Sequence, residues 1–209
     1  MPTYNYQGLE ITCLYHSGFK IKSDNIVIYT DPYKVLDDES ADLILISHDH
    51  FDHLDPDSIN KIKKAETIVV APSGTNAAVD NLKSMKVDDV TNIAGIRITA
   101  FPAYNLTLPN HPKDRGYLGY IIEIEGKRIY FAGDTDKVPE MENLKNIDVA
   151  MLPIGGGPTM DETQAAEAVK IIKPKIVIPM HYKDDVIPAG DANKFIQLVG
   201  SSSQVVVLE

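Results

Sequence analysis

Tryptophan is absent and cysteine occurs once in the 209 residues. A lone Cys13 cannot close an intramolecular disulfide, so the chain relies on its core, and within the strand-like segment EITCLYH the thiol's default place is in that core. Long hydrophobic runs are missing too. No stretch of 18 apolar residues occurs, and the opening MPTYNYQGLE lacks the basic-then-apolar order of a signal peptide. These absences argue against membrane association and for a cytoplasmic location. Positive charge is also short: 20 Lys and Arg face 30 Asp and Glu, a formal charge of −10. Such a surface repels a phosphate backbone, which excludes nucleic acid as an expected partner. A small anionic molecule stays open, because one basic pocket can overrule the global sign.

What is present is a 44% hydrophobic chain, enough to bury a core, read here as a single domain spanning 1–209. Short β-branched runs read as strands: EITCLYH, GFKIKS, NIVIYTDP, DLILISH, GIRITAFPA, YLGYIIEIEGKRIYFAGD, DVAMLPIGG and KIVIPMH. Glu125-Gly126 marks a hairpin. Helices are expected at DPDSINKIKK, with Asp55 or Asp57 as cap, at DETQAAEAVKIIKP, with Asp161 as cap and Ala165, Ala168, Val169 and Ile172 on one face, and at DANKFIQLVG between Asp191 and Gly200. A fourth is expected over residues 73 to 86. Residues 102 to 116 are too polar and proline-rich for a regular element and suit a segment lining a site.

The two halves echo each other. NIVIYTDP ends in Asp31 and precedes DLILISHDH, while RIYFAGDTD ends in Asp134 and precedes DVAMLPIGG. Two β-rich halves with helices outside would bring both sets of strand ends to one edge.

Three of the six histidines crowd into SHDHFDHLDP. His48, His50, Asp52 and His53 follow the apolar strand DLILIS in the spacing H-x-H-x-D-H. A tight turn from strand into helix lets residues two apart diverge and those three or four apart converge, so the segment can serve two adjacent ions. Nitrogen and carboxylate ligands without cysteine suit zinc, or a harder ion such as manganese or iron. The bland alternative is a capped helix start with incidental histidines, which this spacing directly after a buried strand disfavours.

H-D-H-F-D-H after DLILIS, together with FAGDTD (131 to 136) and IVIPMHY (176 to 182), resembles the signature of the metallo-β-lactamase superfamily. HSGFKI and TDP near the N-terminus agree with its lactonase-like branch, which includes ascorbate-6-phosphate lactonase. The resemblance implies an α/β fold, an αββα four-layer sandwich, and two divalent metal ions per chain. It places His48 and His50 on one ion, Asp52, His53 and His181 on the second, and Asp134 between them, with His111 as the remaining ligand of the first. Asp31 would sit behind the ligands and orient a histidine. His16 is either such a support or a strand-end histidine bonded to backbone, and Asp49 is left out of the ligand set.

Such an ion pair would acidify a shared water towards pH 7 and polarise the scissile bond, with Asp52 or Asp134 orienting the nucleophile and taking up its proton. No serine nucleophile is indicated, and Ser17 and Ser47 read as turn or strand-end residues. Tyr104, Asn105, Lys113, Arg115, Tyr182 and Lys183 lie near the ligands in sequence and are candidate substrate contacts as well as ordinary surface residues. PIGGGPTMD (153 to 161) either offers backbone N–H groups to a substrate or is a plain glycine turn. The expected activity is hydrolysis of a small lactone or ester, possibly phosphorylated. The alternatives are a phosphodiesterase acting on a small diester and a metal-binding module without turnover. Self-association is compatible with the resemblance.

Overall fold

The computed structural model describes residues 1–36, 39–77, 79–183 and 190–208. The chain divides into two compact units, Met1–Met85 joined by Leu208, and Lys86–Val207.

The first unit is built on one seven-stranded sheet whose spatial order is the chain order: β1 (Thr3–Tyr6), β2 (Leu9–Cys13), β3 (Phe19–Lys22), β4 (Val27–Thr30), β5 (Ala41–Leu45), β6 (Lys63–Pro72) and β7 (Leu82–Met85). β1 to β4 pair antiparallel; β4 to β7 pair parallel. β4, Leu43–Leu45 of β5 and Val69–Pro72 of β6 are buried on both faces and correspondingly apolar, whereas β7 leaves Lys83 and Ser84 exposed. Val27, Tyr29, Ile44, Ile46, Val69 and Ala71 form a core with Ile59 and Ile62 of α1 (Pro56–Ile62), while Ile28, Leu43, Leu45 and Val70 on the alternate positions are also fully buried. Each buried Val, Leu or Ile among them contributes roughly 1.5–3 kcal/mol. α1 starts where Asp55 accepts from the Asp57 amide with Pro56 in the first turn, which settles the cap on Asp55.

The second unit repeats this order. β8 (Val90–Ile93), β9 (Ile96–Pro102), β10 (Leu118–Ile124) and β11 (Lys127–Phe131) pair antiparallel; β11, β12 (Val149–Pro153), β13 (Ile176–Met180) and β14 (Gln204–Val205) pair parallel. The hairpin falls on Glu125 and Gly126, both at positive φ (49° and 74°), with Ile124 opposite Lys127. α2 (Glu162–Ile172) is closed at its start by a capping box of Asp161 and Gln164, and the face expected from Ala165, Ala168, Val169 and Ile172 is buried. α3 (Ala192–Val199) runs from Asp191 to Gly200 and is tied to α2 through Glu162, which accepts from the Asp191 amide and pairs with Lys194.

The helix expected over 73 to 86 is not formed. Leu82–Met85 is instead β7, paired parallel with β6, and Ala78 lies outside the described residues. Gly74 and Asn81, at φ 95° and 56°, cannot belong to a helix, and pairing with β6 overrides the local preference of the last four residues. Residues 103 to 112 are irregular, as expected, before a short 3₁₀ turn at Lys113–Arg115.

Candidate metal centre

In the first unit the polar cluster sits where the parallel strands end. β4 delivers Asp31, and β5 delivers Ser47, His48 and the turn that carries His50, Asp52 and His53. Asp31 is fully buried and accepts three hydrogen bonds: from the Ser47 amide at Oδ1 (2.7 Å), and from Ser47 Oγ (2.5 Å) and His53 Nδ1 (2.7 Å) at Oδ2. A buried carboxylate without such donors would cost several kcal/mol, roughly, so this one is held where the donors are. Ser47 Oγ also lies 2.8 Å from His48 Nδ1. His48 Nε2 faces His50 Nδ1 at 3.0 Å. Two nitrogens bound at ~2.05 Å to one tetrahedral ion would stand about 3.3 Å apart, so these rings need little adjustment to share one.

Asp52 Oδ2 lies 3.2 Å from His16 Nε2 and 3.9 Å from His53 Nε2, and one ligand atom from each of the three residues falls within 4.8 Å of the others. The fold thus puts His16 beside the carboxylate of Asp52, rather than leaving it a strand-end residue bonded only to backbone. The HSG turn that carries it requires Gly18, since a Cβ there would come within 2.8 Å of the Asp31 carbonyl oxygen. Asp49 is exposed. The donor set fits a divalent ion: imidazole and carboxylate, buried, with the His53 Nδ1–H given to Asp31 so that its lone pair is on Nε2.

In the second unit three distant positions come together. Asp134, just beyond β11, presents Oδ2 to His181 Nε2 at 3.0 Å and to His111 Nε2 at 3.6 Å. His111 is fixed from behind: its Nδ1 lies 3.1 Å from Asn105 Oδ1 and 3.0 Å from the Pro158 carbonyl, and its amide donates to Asn105 Oδ1. Asn105 is held in turn, donating to Asp136 and to Pro158 O. With Nδ1–H given to these oxygens, His111 too carries its lone pair on Nε2. His181, at the end of β13, has φ 57°, and Tyr182 beside it is buried. Gly190 is required next to it, because a Cβ there would reach within 2.6 Å of Tyr182 Cβ.

The candidate substrate contacts divide. Asn105 supports His111, as described. The Tyr104 hydroxyl donates to Glu140 Oε2 (2.9 Å) and accepts from Lys113 Nζ, which also pairs with Glu140. Burial raises the Tyr104 pKa, and the bond to Glu140 adds to this against the pull of Lys113. Burial pushes the Glu140 carboxyl up, but the bonds from Lys113, from backbone and from Tyr104 outweigh it and hold it below its ordinary value. These three groups border a cavity of about 420 Å³ together with Phe101 and Tyr117. Tyr117 also meets the His111 ring edge-on, centroids 6.0 Å apart, and lies beneath Arg115. Lys183 is exposed, while residues 184 to 189 lie outside the described residues.

Two participants were not legible as such. Ser47 reads as a strand-end residue, yet its hydroxyl joins Asp31 to His48. PIGGGPTMD turns with Gly156 and Gly157 at positive φ and presents the Pro158 carbonyl to His111 and Asn105, while the Asp161 side chain accepts from the Gln164 amide. The signal in both cases was adjacency to a histidine or glycine motif, which does not say which atom bonds to which. Among the described residues, no helix is long and apolar enough to cross a membrane.

Comparison with known proteins gives the family. The family model of the Beta-lactamase superfamily domain matches residues 10–181. A UPF0173 metal-dependent hydrolase of Thermococcus onnurineus is 33% identical over 96% of this chain and 96% of its own. The crystal structure of a Parabacteroides distasonis protein assigned as a metal-dependent hydrolase superposes with a TM-score of 0.87 at 34% identity, covering 99% of this chain and 97% of that one. Igni18, a metallo hydrolase of Ignicoccus hospitalis, does so with 0.78 at 27% identity, covering 96% and 95%. The α/β reading and the superfamily resemblance are both borne out, and the chain belongs to the UPF0173 metal-dependent hydrolases of the β-lactamase superfamily.

Proposed function

We propose that this protein hydrolyses a small anionic lactone or ester in the cytoplasm, with His48, His50, Asp52, His53, His111, Asp134 and His181 holding two divalent ions, zinc foremost, with manganese or iron as alternatives. The observation that carries the reading is the convergence of His111 and His181 on one oxygen of Asp134, three residues brought from a loop and two strand ends. A carboxylate set between two imidazoles is what a cation site needs, and contacts of Nδ1 with Asn105 Oδ1 and the Pro158 carbonyl keep His111 aimed. Bound ions would supply Lewis acidity and acidify a water towards neutral pH. Asp52 and Asp134, both buried carboxylates beside imidazoles, would orient such a water and receive its proton. The choice of lactone or ester over other bonds rests on the resemblance of the H-D-H-F-D-H, FAGDTD and IVIPMHY motifs to the lactonase-like branch.

Elemental mass spectrometry on protein purified without chelator tests the cofactor reading; about two transition-metal ions per chain are expected. A panel of lactones, esters, phosphodiesters and β-lactams then tests the chemistry. Turnover of a phosphodiester alone would replace the ester reading, and metal without any turnover would leave a binding module.

A further inference from the structure

Ser47 is outside the expected ligand set, yet its side chain joins two charged or metal-binding groups in the first unit. It is buried, with Oγ 2.5 Å from Asp31 Oδ2 and 2.8 Å from His48 Nδ1. A hydroxyl has one hydrogen to give, and a carboxylate only accepts. The shorter contact, to Asp31, takes that hydrogen, so towards His48 the same oxygen is the acceptor and His48 Nδ1–H the donor. His48 is then locked as one tautomer with its lone pair on Nε2, the atom that faces His50. His53 reaches the same tautomer without an intermediary, through Nδ1 on Asp31 Oδ2 at 2.7 Å.

We propose that Ser47 is a positioning residue that relays Asp31 to His48, so that one buried carboxylate fixes the metal-binding nitrogen of two histidines, His53 directly and His48 at one remove. This rests on reading both histidines as ligands, of different ions. The arrangement is asymmetric. Removing the hydroxyl leaves Asp31 with the Ser47 amide on Oδ1 and His53 on Oδ2, so His53 keeps its anchor while His48 loses its bond to Ser47. Ser47→Ala keeps the backbone amide and adds no volume; Ser47→Thr keeps the hydroxyl.

The test uses the full chain labelled with ¹⁵N-histidine. Long-range ¹H–¹⁵N correlation spectra of the metal-free protein report the tautomer of each ring, and Zn²⁺ titration in competition with a chromophoric chelator reports the affinity of each ion. In the wild type His48 is expected as the Nδ1–H tautomer. Ser47→Ala should lose that preference and bind one of two zinc ions about 10- to 100-fold more weakly, with the other unchanged, and Ser47→Thr should restore both. Three results would overturn the relay: an Nε2–H tautomer at His48 in the wild type, unaltered binding of both ions in Ser47→Ala, or equal weakening of both. If the wild type bound no zinc, the metal reading itself would fall. The metal-free spectra would still decide the relay, as they would if Ser47→Ala failed to fold.

Discussion

The two units share one plan, four antiparallel strands followed by three more in parallel, and differ in how they gather polar groups. The first takes four of its candidate ligands from six consecutive positions, His48 to His53, and braces them with Asp31 from the neighbouring strand. The second takes His111, Asp134 and His181 from a loop and two strand ends, and braces His111 with an asparagine and a backbone carbonyl. A duplicated sheet can thus supply the same chemistry by local crowding or by long-range convergence. The second route leaves no short motif behind.

If the scattered set matters as much as the crowded one, Asp134→Ala should lower hydrolysis at least as far as His50→Ala. The expected loss is about 10³-fold, the ~4 kcal/mol that places it among effects of several kcal/mol attributed to metal-assisted charge stabilisation. Circular dichroism should be unchanged, and activity surviving in Asp134→Ala would leave the first cluster acting alone. Next in size, Ile44→Ala in β5 should cost about 2–5 kcal/mol in urea unfolding, as expected for a fully buried isoleucine. The single-domain reading of 1–209 predicts that both units unfold in a single transition; two transitions would overturn it.

Asn105→Ala releases the brace behind His111 and should weaken metal affinity by about 10- to 100-fold in chelator competition. A smaller contrast concerns two tyrosines in matching strand pairings, Tyr29 opposite Ile44 and Tyr130 opposite Ala150. The Tyr29 hydroxyl donates to the Glu39 carbonyl at 2.8 Å, whereas that of Tyr130 has no hydrogen-bond partner among the described residues, and burial pushes its pKa far above the usual phenol range. Tyr29→Phe should therefore cost about 0.5–1.5 kcal/mol, while Tyr130→Phe should be neutral or slightly stabilising in the same assay.

The smallest effect is electrostatic and confined to the second unit. Burial pushes the Glu162 carboxyl up, but the bonds from Lys194 and the Asp191 amide win and hold it below its ordinary 4.5. A carboxyl depressed on folding adds stability above its unfolded pKa and loses it as pH falls through the folded value. Melting temperature should thus fall on acidification below about pH 4.5 more steeply in the wild type than in Glu162→Gln. Parallel curves would remove Glu162 as a contributor.

Legibility in the sequence followed the same division. The antiparallel hairpin at Glu125-Gly126, the capped helices at Asp161 and Asp191, and the H-x-H-x-D-H segment are each written within a dozen residues, where period, cap and spacing suffice. β7 was misread because four residues with no strong period join a sheet only through β6. His111 was recognisable only by resemblance, since nothing within ten residues of it states that Asp134 and Pro158 will be its neighbours. Ser47 shows the limit from the other side: adjacent to a visible motif, its part depends on an oxygen sixteen positions earlier.

The strand order has a bearing on how the molecule is made. In both sheets every strand lies beside the one synthesised just before it, so no strand waits for a distant partner. Loop-closure entropy grows with the length of chain to be closed, and each ladder here closes over a short one. The first sheet is complete in sequence by Met85. Its strands can begin to pair on the ribosome while the second sheet is still being translated.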